Sequence, residues 1–272
     1  MIPNVLSIAG VDPSGGAGIF ADLKAFSALG AYGCAVVTAL TAQNTRRVDG
    51  VSVTPTDFVT DQMDTLFDDV RIDAIKIGML GTADLTVAVA NGLIRHAGAT
   101  PIVLDPVMIA KSGDALLAPE AVSALRKVLL PLATVLTPNL PEAGELLGEP
   151  APVDLPGMRR AAEKLRGMLA VDNAWVLLKG GHLSDGPAID LLHDGEQMIE
   201  LSAPRVETKN THGTGCTLSS SIAALLPVCA SVPEAVTRAK DYLTGAISHS
   251  GQLAVGHGHG PVHHFWQIWP SK

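Results

Sequence analysis

Alternation along the chain limits how it can fold. Six short apolar runs, VLSIA, CAVVTAL, AIKIG, PIVLD, ATVLT and AWVLLKGG, recur between longer stretches of helical periodicity. Short runs of this kind, spaced by helices, read as parallel strands in βαβ units, with helices covering both faces of the sheet. The pattern predicts helices over residues 18–29, 56–69, 82–96, 119–130, 155–170, 214–226 and 233–250, several opened by Thr or Pro. One segment breaks the rule: AIDLLHDGEQMIEL sets Asp194-Gly195 between two apolar runs, a hairpin signal. The expected fold class is therefore α/β, three layers (α/β/α) around a mostly parallel sheet with an antiparallel edge hairpin. No linker divides residues 1–272, which are expected to form one domain.

Composition narrows the function. A formal charge of −8 with 4% aromatic residues leaves no basic stripe and few stacking platforms, so nucleic acid is not expected as a partner. Cys34, Cys216 and Cys229 form no CxxC pair, which points to free thiols in a reducing compartment. The start MIPNVLSIAG lacks a basic flank and reads as a first strand. The uncharged stretch from Asn210 to Pro233 is interrupted by glycines, hydroxyl residues, His212 and Pro227, so a buried helix is expected there and no membrane partner.

In open parallel sheets ligands sit beyond the carboxyl ends of the strands, so the loops that follow the apolar runs carry the chemistry. The loop AGVDPSGGAGI, residues 9–19, matches neither a Walker loop nor GxGxxG; a plain tight turn and a binding loop both fit it. After the second run, Gln43 and Asn44 offer amides with both donor and acceptor, suited to a heterocycle edge or to an ordinary turn. Asp105 ends a strand before Pro106, while Met79 and Val107 read equally as core or as ligand wall. Asn139 and Glu142 open a helix in TPNLPEAGELLG, where Glu142 is either a capping acid or, with Asp105, an oxygen ligand for hydrated magnesium. In NTHGTGCT a glycine turn runs into the apolar LSSSIAALL, so main-chain N–H groups at a helix start are offered to an anion. Cys216 in that turn is either a small hydrophobe or a nucleophile or base, and His212 could pair with it. The histidine-rich tail GHGHGPVHHF has no ordered ligand spacing.

Taken together, SIAGVDPSGGAGIFADLKAFSALGAYG, AQNT, KIGML, LDPVMIAKSGD, TPNLPEA, KGGH, NTHGTGCT and GPVHHF resemble the ribokinase-like superfamily. Within it they are most similar to the hydroxymethylpyrimidine/phosphomethylpyrimidine kinases of thiamin biosynthesis. The resemblance spans almost the whole chain. It implies a cytoplasmic, homodimeric kinase that uses ATP and Mg2+ on a small pyrimidine, first on the alcohol and then on its monophosphate. It places Gln43 at the aminopyrimidine, with Asp22, Gly10, Met79 and Val107 around it. Asp105 and Glu142 become the metal acids, and Asn139, Lys179 and His212 lie on the nucleotide side. Gly213, Thr214, Gly215 and Cys216 form the anion hole, with Cys216 where most sugar-kinase relatives carry an Asp base.

A helix N-terminus would lower that thiol from about 8.5 into a range of roughly 3.5 to 7.5, whereas nucleotide phosphates would raise it again. If Cys216 is a base, Cys216→Ala should slow the first phosphorylation far more than the second, because only the alcohol has a proton to lose. Rival readings are a vitamin B6 kinase, a non-catalytic pyrimidine sensor and a cysteine hydrolase that works without ATP.

Overall fold

A computed structural model describes residues 1–108, 119–181, 183 and 187–269. The AKSGD motif and His182 of KGGH lie outside the described residues. The described strands form one nine-stranded sheet in the order β3-β2-β1-β4-β5-β6-β7-β8-β9. Its middle is parallel: β1 (Asn4–Val11), β2 (Tyr32–Gln43), β4 (Ala74–Ile77), β5 (Ile102–Leu104), β6 (Val135–Leu136) and β7 (Trp175–Lys179). Each overlaps one of the six apolar runs, β6 over only two residues of ATVLT.

The hairpin at Asp194-Gly195 forms as expected, joining β8 (Ala188–His193) to β9 (Met198–Ala203). Two features depart from expectation. β8 also runs antiparallel to β7, and a further antiparallel strand, β3 (Val48–Val53), closes the opposite edge against β2. β3 reads VDGVSV and is almost wholly exposed, so it has no apolar run to betray it.

Alternate strand residues point to opposite faces, and the core divides accordingly. Leu6, Ile75, Leu104 and Leu136 face one layer of helices: α2 (Thr56–Asp69), α3 (Ala83–His96), α4 (Pro119–Ala124), α5 (Leu140–Leu147) and α6 (Leu155–Arg166). Val5, Ala74, Val103 and Val135 face the other layer, which holds α1 (Gly18–Ala28), α7 (Thr214–Leu225) and α8 (Val232–Ser248). The helix expected over 119–130 is broken. After Ala124 the chain widens into a π turn and then tightens into a 3-10 turn at Leu130–Leu132. Pro131 supplies no N–H to continue the ladder.

The uncharged stretch resolves into the 12-residue α7 and a short 3-10 turn, and no helix among the described residues is long and apolar enough to cross a membrane. The β1-β2 connection runs to one side of β1, and the later strands continue from β4 on the other side. This reversal opens a crevice above the carboxyl ends of β1 and β4.

The chain after α8 packs back on α7. His264 is buried, and its Nε2 lies 3.0 Å from the Thr217 hydroxyl. Burial pushes its pKa down to about 3, while an unfolded histidine titrates near 6.5. The unfolded chain therefore binds the extra proton over that window. The stability His264 supplies is complete above about pH 6.5 and is lost as pH falls toward 3, by up to about 1.4 kcal/mol per pH unit. Urea unfolding between pH 7 and 5 should show this slope, and His264→Asn should lose it; equal slopes in the two proteins would contradict the assignment.

Candidate active site

A cavity of about 370 Å³ opens at the crevice, within the size range of small-molecule sites. Gln43 enters it from the β2 side. Asp105, Asn139 and Lys179, which follow or end β5, β6 and β7, enter from the other. The turn from Thr211 to Cys216 lines it between them. Of the residues expected from the sequence, Gly10, Gln43, Met79, Val107, Asp105, Asn139, Glu142, Lys179, His212, Gly213, Thr214, Gly215 and Cys216 all line this one cavity.

Asp22 does not line it, which corrects the expectation that it surrounds the ring. It is fully buried in α1, where it accepts hydrogen bonds from Ser7 (2.6 Å), Ser220 (2.6 Å) and Lys76 (2.8 Å). Lys76 itself reaches the cavity and is fully buried in β4. Burial alone would lower its ammonium, but the Asp22 carboxylate holds it well above the ordinary lysine range. A lone lysine inside the strand AIKI was the available signal, since a buried charge demands a partner.

The turn leaves main-chain N–H groups free at the start of α7. Gly213 caps α7 with φ +74°, and a Cβ there would lie 1.8 Å from the Gly16 carbonyl oxygen, so only glycine fits. It brings no side-chain cap, and the first turn of α7 holds no acid to compete for the free N–H groups. A second missed residue, Asp12, supports this turn from the loop after β1. Its carboxylate accepts from the N–H groups of Ser14 and Ala17 and lies 2.7 Å from His212 Nε2. Burial opposes its ionisation, but the bonds from His212 and Ser14 hold it below the usual carboxylate range. The partner found for His212 is thus Asp12, not the thiol of Cys216.

Cys216 is half-buried. Burial pushes the thiol up to about 11, against the pull of Lys76. The depressed pKa that a helix start suggests is therefore not found; loss of water around the sulfur outweighs the N-terminal field.

On the β5–β7 side Lys179 sits between two acids, with Nζ 3.1 Å from Asp105 Oδ1 and 4.0 Å from Glu142 Oε2. Burial alone would lower this ammonium, and the two carboxylates hold it above the lysine range. Asp105 also accepts from Thr137 (3.2 Å) and Ser219 (3.1 Å), which fixes it beside the turn that opens α7. Glu142 does cap its helix, in a reciprocal box with Asn139 (2.8 and 2.9 Å), yet its carboxyl still lines the cavity. Burial pushes Glu142 up to about 7, with Lys179 opposing and Asp105 adding to the rise. No cluster of three acid, His or Cys ligands occurs among the described residues. The pair Asp105 and Glu142 suits Mg2+ only as an ion shared with phosphate and water.

A pocket at the carboxyl edge of a mostly parallel sheet, faced by the start of a helix, fits a ribokinase-like small-molecule kinase. A phosphomethylpyrimidine kinase family model matches residues 12–263. The chain is 53% identical over 269 residues to the hydroxymethylpyrimidine/phosphomethylpyrimidine kinase of Escherichia coli, covering 98% of each chain. Among solved structures it is similar to a Clostridium difficile phosphomethylpyrimidine kinase (TM-score 0.79, 40% identity, 90% of this chain and 99% of that one). It is also similar to the Staphylococcus aureus pyridoxal kinase in complex with AMP-PCP and pyridoxal (TM-score 0.88, 34% identity, 98% and 95%). The chain belongs to the phosphomethylpyrimidine kinase family, a family of phosphotransferases.

Proposed function

We propose that this chain transfers the terminal phosphoryl group of ATP to 4-amino-5-hydroxymethyl-2-methylpyrimidine, and then phosphorylates the resulting monophosphate, in thiamin biosynthesis. One observation carries the reading: a single cavity joins a side-chain amide, apolar walls and an anion turn. In this reading Gln43 meets the polar ring edge while Met79 and Val107 cover its faces. The N–H groups opening α7 hold the transferring phosphoryl group, and Lys179 stabilises charge on its nucleotide side. Asp105 and Glu142 would hold Mg2+ together with the nucleotide phosphates, where the ion would neutralise phosphate charge. Phosphoryl transfer is loose, so positioning and charge stabilisation outweigh proton removal.

That weighting revises the role of Cys216. Burial pushes the thiol up, so at pH 7 Cys216 is held in its protonated form. Cys216→Ala is therefore expected to slow both phosphorylations by similar factors, in place of the unequal loss expected of a base. Single-turnover rates with the alcohol and with its monophosphate check this; a loss confined to the alcohol would restore the base.

The assay that tests the function couples ATP consumption to the pyrimidine alcohol and follows products by mass. Mono- and diphosphate in sequence are expected, with pyridoxal turned over more slowly. No ATP-dependent product, or preference for pyridoxal, would overturn the reading. A cytoplasmic homodimer completes it, supported by three free thiols and by exposed Leu40, Val51, Val53 and Phe58 near one sheet edge.

A further inference from the structure

The histidine-rich tail has no part in the chemistry described above, yet it touches both sides of the cavity. The Gly258 N–H donates to Thr45 Oγ1 (3.1 Å), and the His259 N–H donates to the Thr45 carbonyl (2.8 Å). Thr45 is buried and lies two residues beyond Gln43. One residue further along the tail, the Gly260 carbonyl accepts from the His212 N–H (3.0 Å), directly before the anion turn. His264 then reaches Thr217 in the first turn of α7, and the Tyr242 hydroxyl donates to the His264 carbonyl (2.6 Å).

These contacts leave little slack. A Cβ at Gly258 would lie 2.0 Å from the Thr45 carbonyl oxygen, and one at Gly260 would lie 2.3 Å from Asn210 Oδ1. The first obstacle is backbone, which cannot swing aside as a side chain can. β2 and the start of α7 are also linked through β1, which pairs with β2 and whose following loop brings Asp12 to His212; the tail adds a second, direct link between the two sides.

We propose that residues 256–264 form a positioning strap that fixes the spacing between the loop carrying Gln43 and the turn at 213–216. Resting on the function proposed above, this spacing places the hydroxymethyl group of a ring read at Gln43 against the phosphoryl group held at the turn. The strap touches no reacting atom; it acts through Thr45 and His212. A small misplacement of reacting groups costs far more rate than binding, which gives such an element its leverage.

Gly258→Ala tests it, with Thr45→Val and Thr45→Ser as variants that leave the tail itself intact. Gly258→Ala should lower kcat with the pyrimidine alcohol about tenfold or more and raise its KM by a smaller factor, while the dissociation constant of AMP-PCP stays within about twofold. Thr45→Val, which loses the Oγ1 acceptor, should move the same way by a smaller factor, and Thr45→Ser, which keeps it, should restore wild-type kinetics. Because this readout fails if the substrate assignment is wrong, amide hydrogen exchange is measured without substrate as well. Gly258→Ala should speed exchange in both segments 43–47 and 211–217. Faster exchange confined to 256–260, equal losses for alcohol and nucleotide, or Thr45→Ser behaving like Thr45→Val would each overturn the strap.

Discussion

Gly213→Ala should abolish most phosphoryl transfer while leaving the chain folded. The residue sits at φ +74°, where an L side chain is strained, and its Cβ would fall 1.8 Å from the Gly16 carbonyl. The turn must shift, and with it the N–H groups that open α7. Loss of preorganised main-chain donors at a developing oxyanion costs a factor of about 10² to 10³ in kcat. Here several donors move together, so the upper figure, about a thousandfold, is expected. The strain itself costs on the order of 1–3 kcal/mol, enough to lower the thermal midpoint by several degrees without unfolding the core. Steady-state kinetics and a thermal melt on the same preparation separate the two effects. A kcat within about tenfold of wild type would mean that the transferred group is held elsewhere.

Lys179→Met is expected to be nearly as severe, for a different reason. Lys179 is the cation between Asp105 and Glu142, both buried. Without it this side of the cavity, where the proposed function seats the nucleotide, becomes more acidic and should repel phosphate. Its ammonium also opposes the upward shift of Glu142, so the variant's Glu142 should take up a proton still more readily than the value near 7 implies. A loss of roughly 10² to 10³ in kcat is expected, together with a raised KM for ATP. Removing one partner of a buried ion pair costs about 3–5 kcal/mol when the other stays charged, and protonation of Glu142 should soften that cost. ATP-dependent kinetics and the pH dependence of unfolding check both halves. A variant with near-normal kcat and unchanged KM for ATP would remove Lys179 from the site.

The parts of this architecture that could be read from the chain are those that bury a periodic apolar face. The six parallel strands and the limits of α2 at Thr56–Asp69 follow from such faces. The β8–β9 hairpin follows from Asp194-Gly195, whose glycine adopts φ +107°. β3 was hidden because it is held by its ladder to β2 and not by burial. The break after Ala124 was hidden because Leu125, Leu129 and Leu130 keep an apolar pattern through a change of helix type.

At the site, short motifs marked which residues meet but not what they meet. Glu142 is a case in point: capping and cavity lining looked like alternatives, and its carboxyl does both. Asp22 stands in a motif beside the pocket, yet its direction depends on Lys76 and Ser220, which come from β4 and α7. The Cys216 thiol shows the same limit. Its helix position was legible, whereas the burial that raises its pKa depends on the folded surroundings of the turn, which include Lys76 of β4 and Asp105 after β5.

The proposed reaction depends on where the nucleotide's terminal phosphate binds. The direct measurement is a crystal structure with AMP-PCP and the pyrimidine alcohol bound together. It should place that phosphate within hydrogen-bonding distance of the main-chain N–H groups of Gly213 to Cys216, facing the hydroxymethyl oxygen, with the ring against Gln43. A terminal phosphate bound away from those amides, or a ring seated with its hydroxymethyl group turned from the turn, would contradict it.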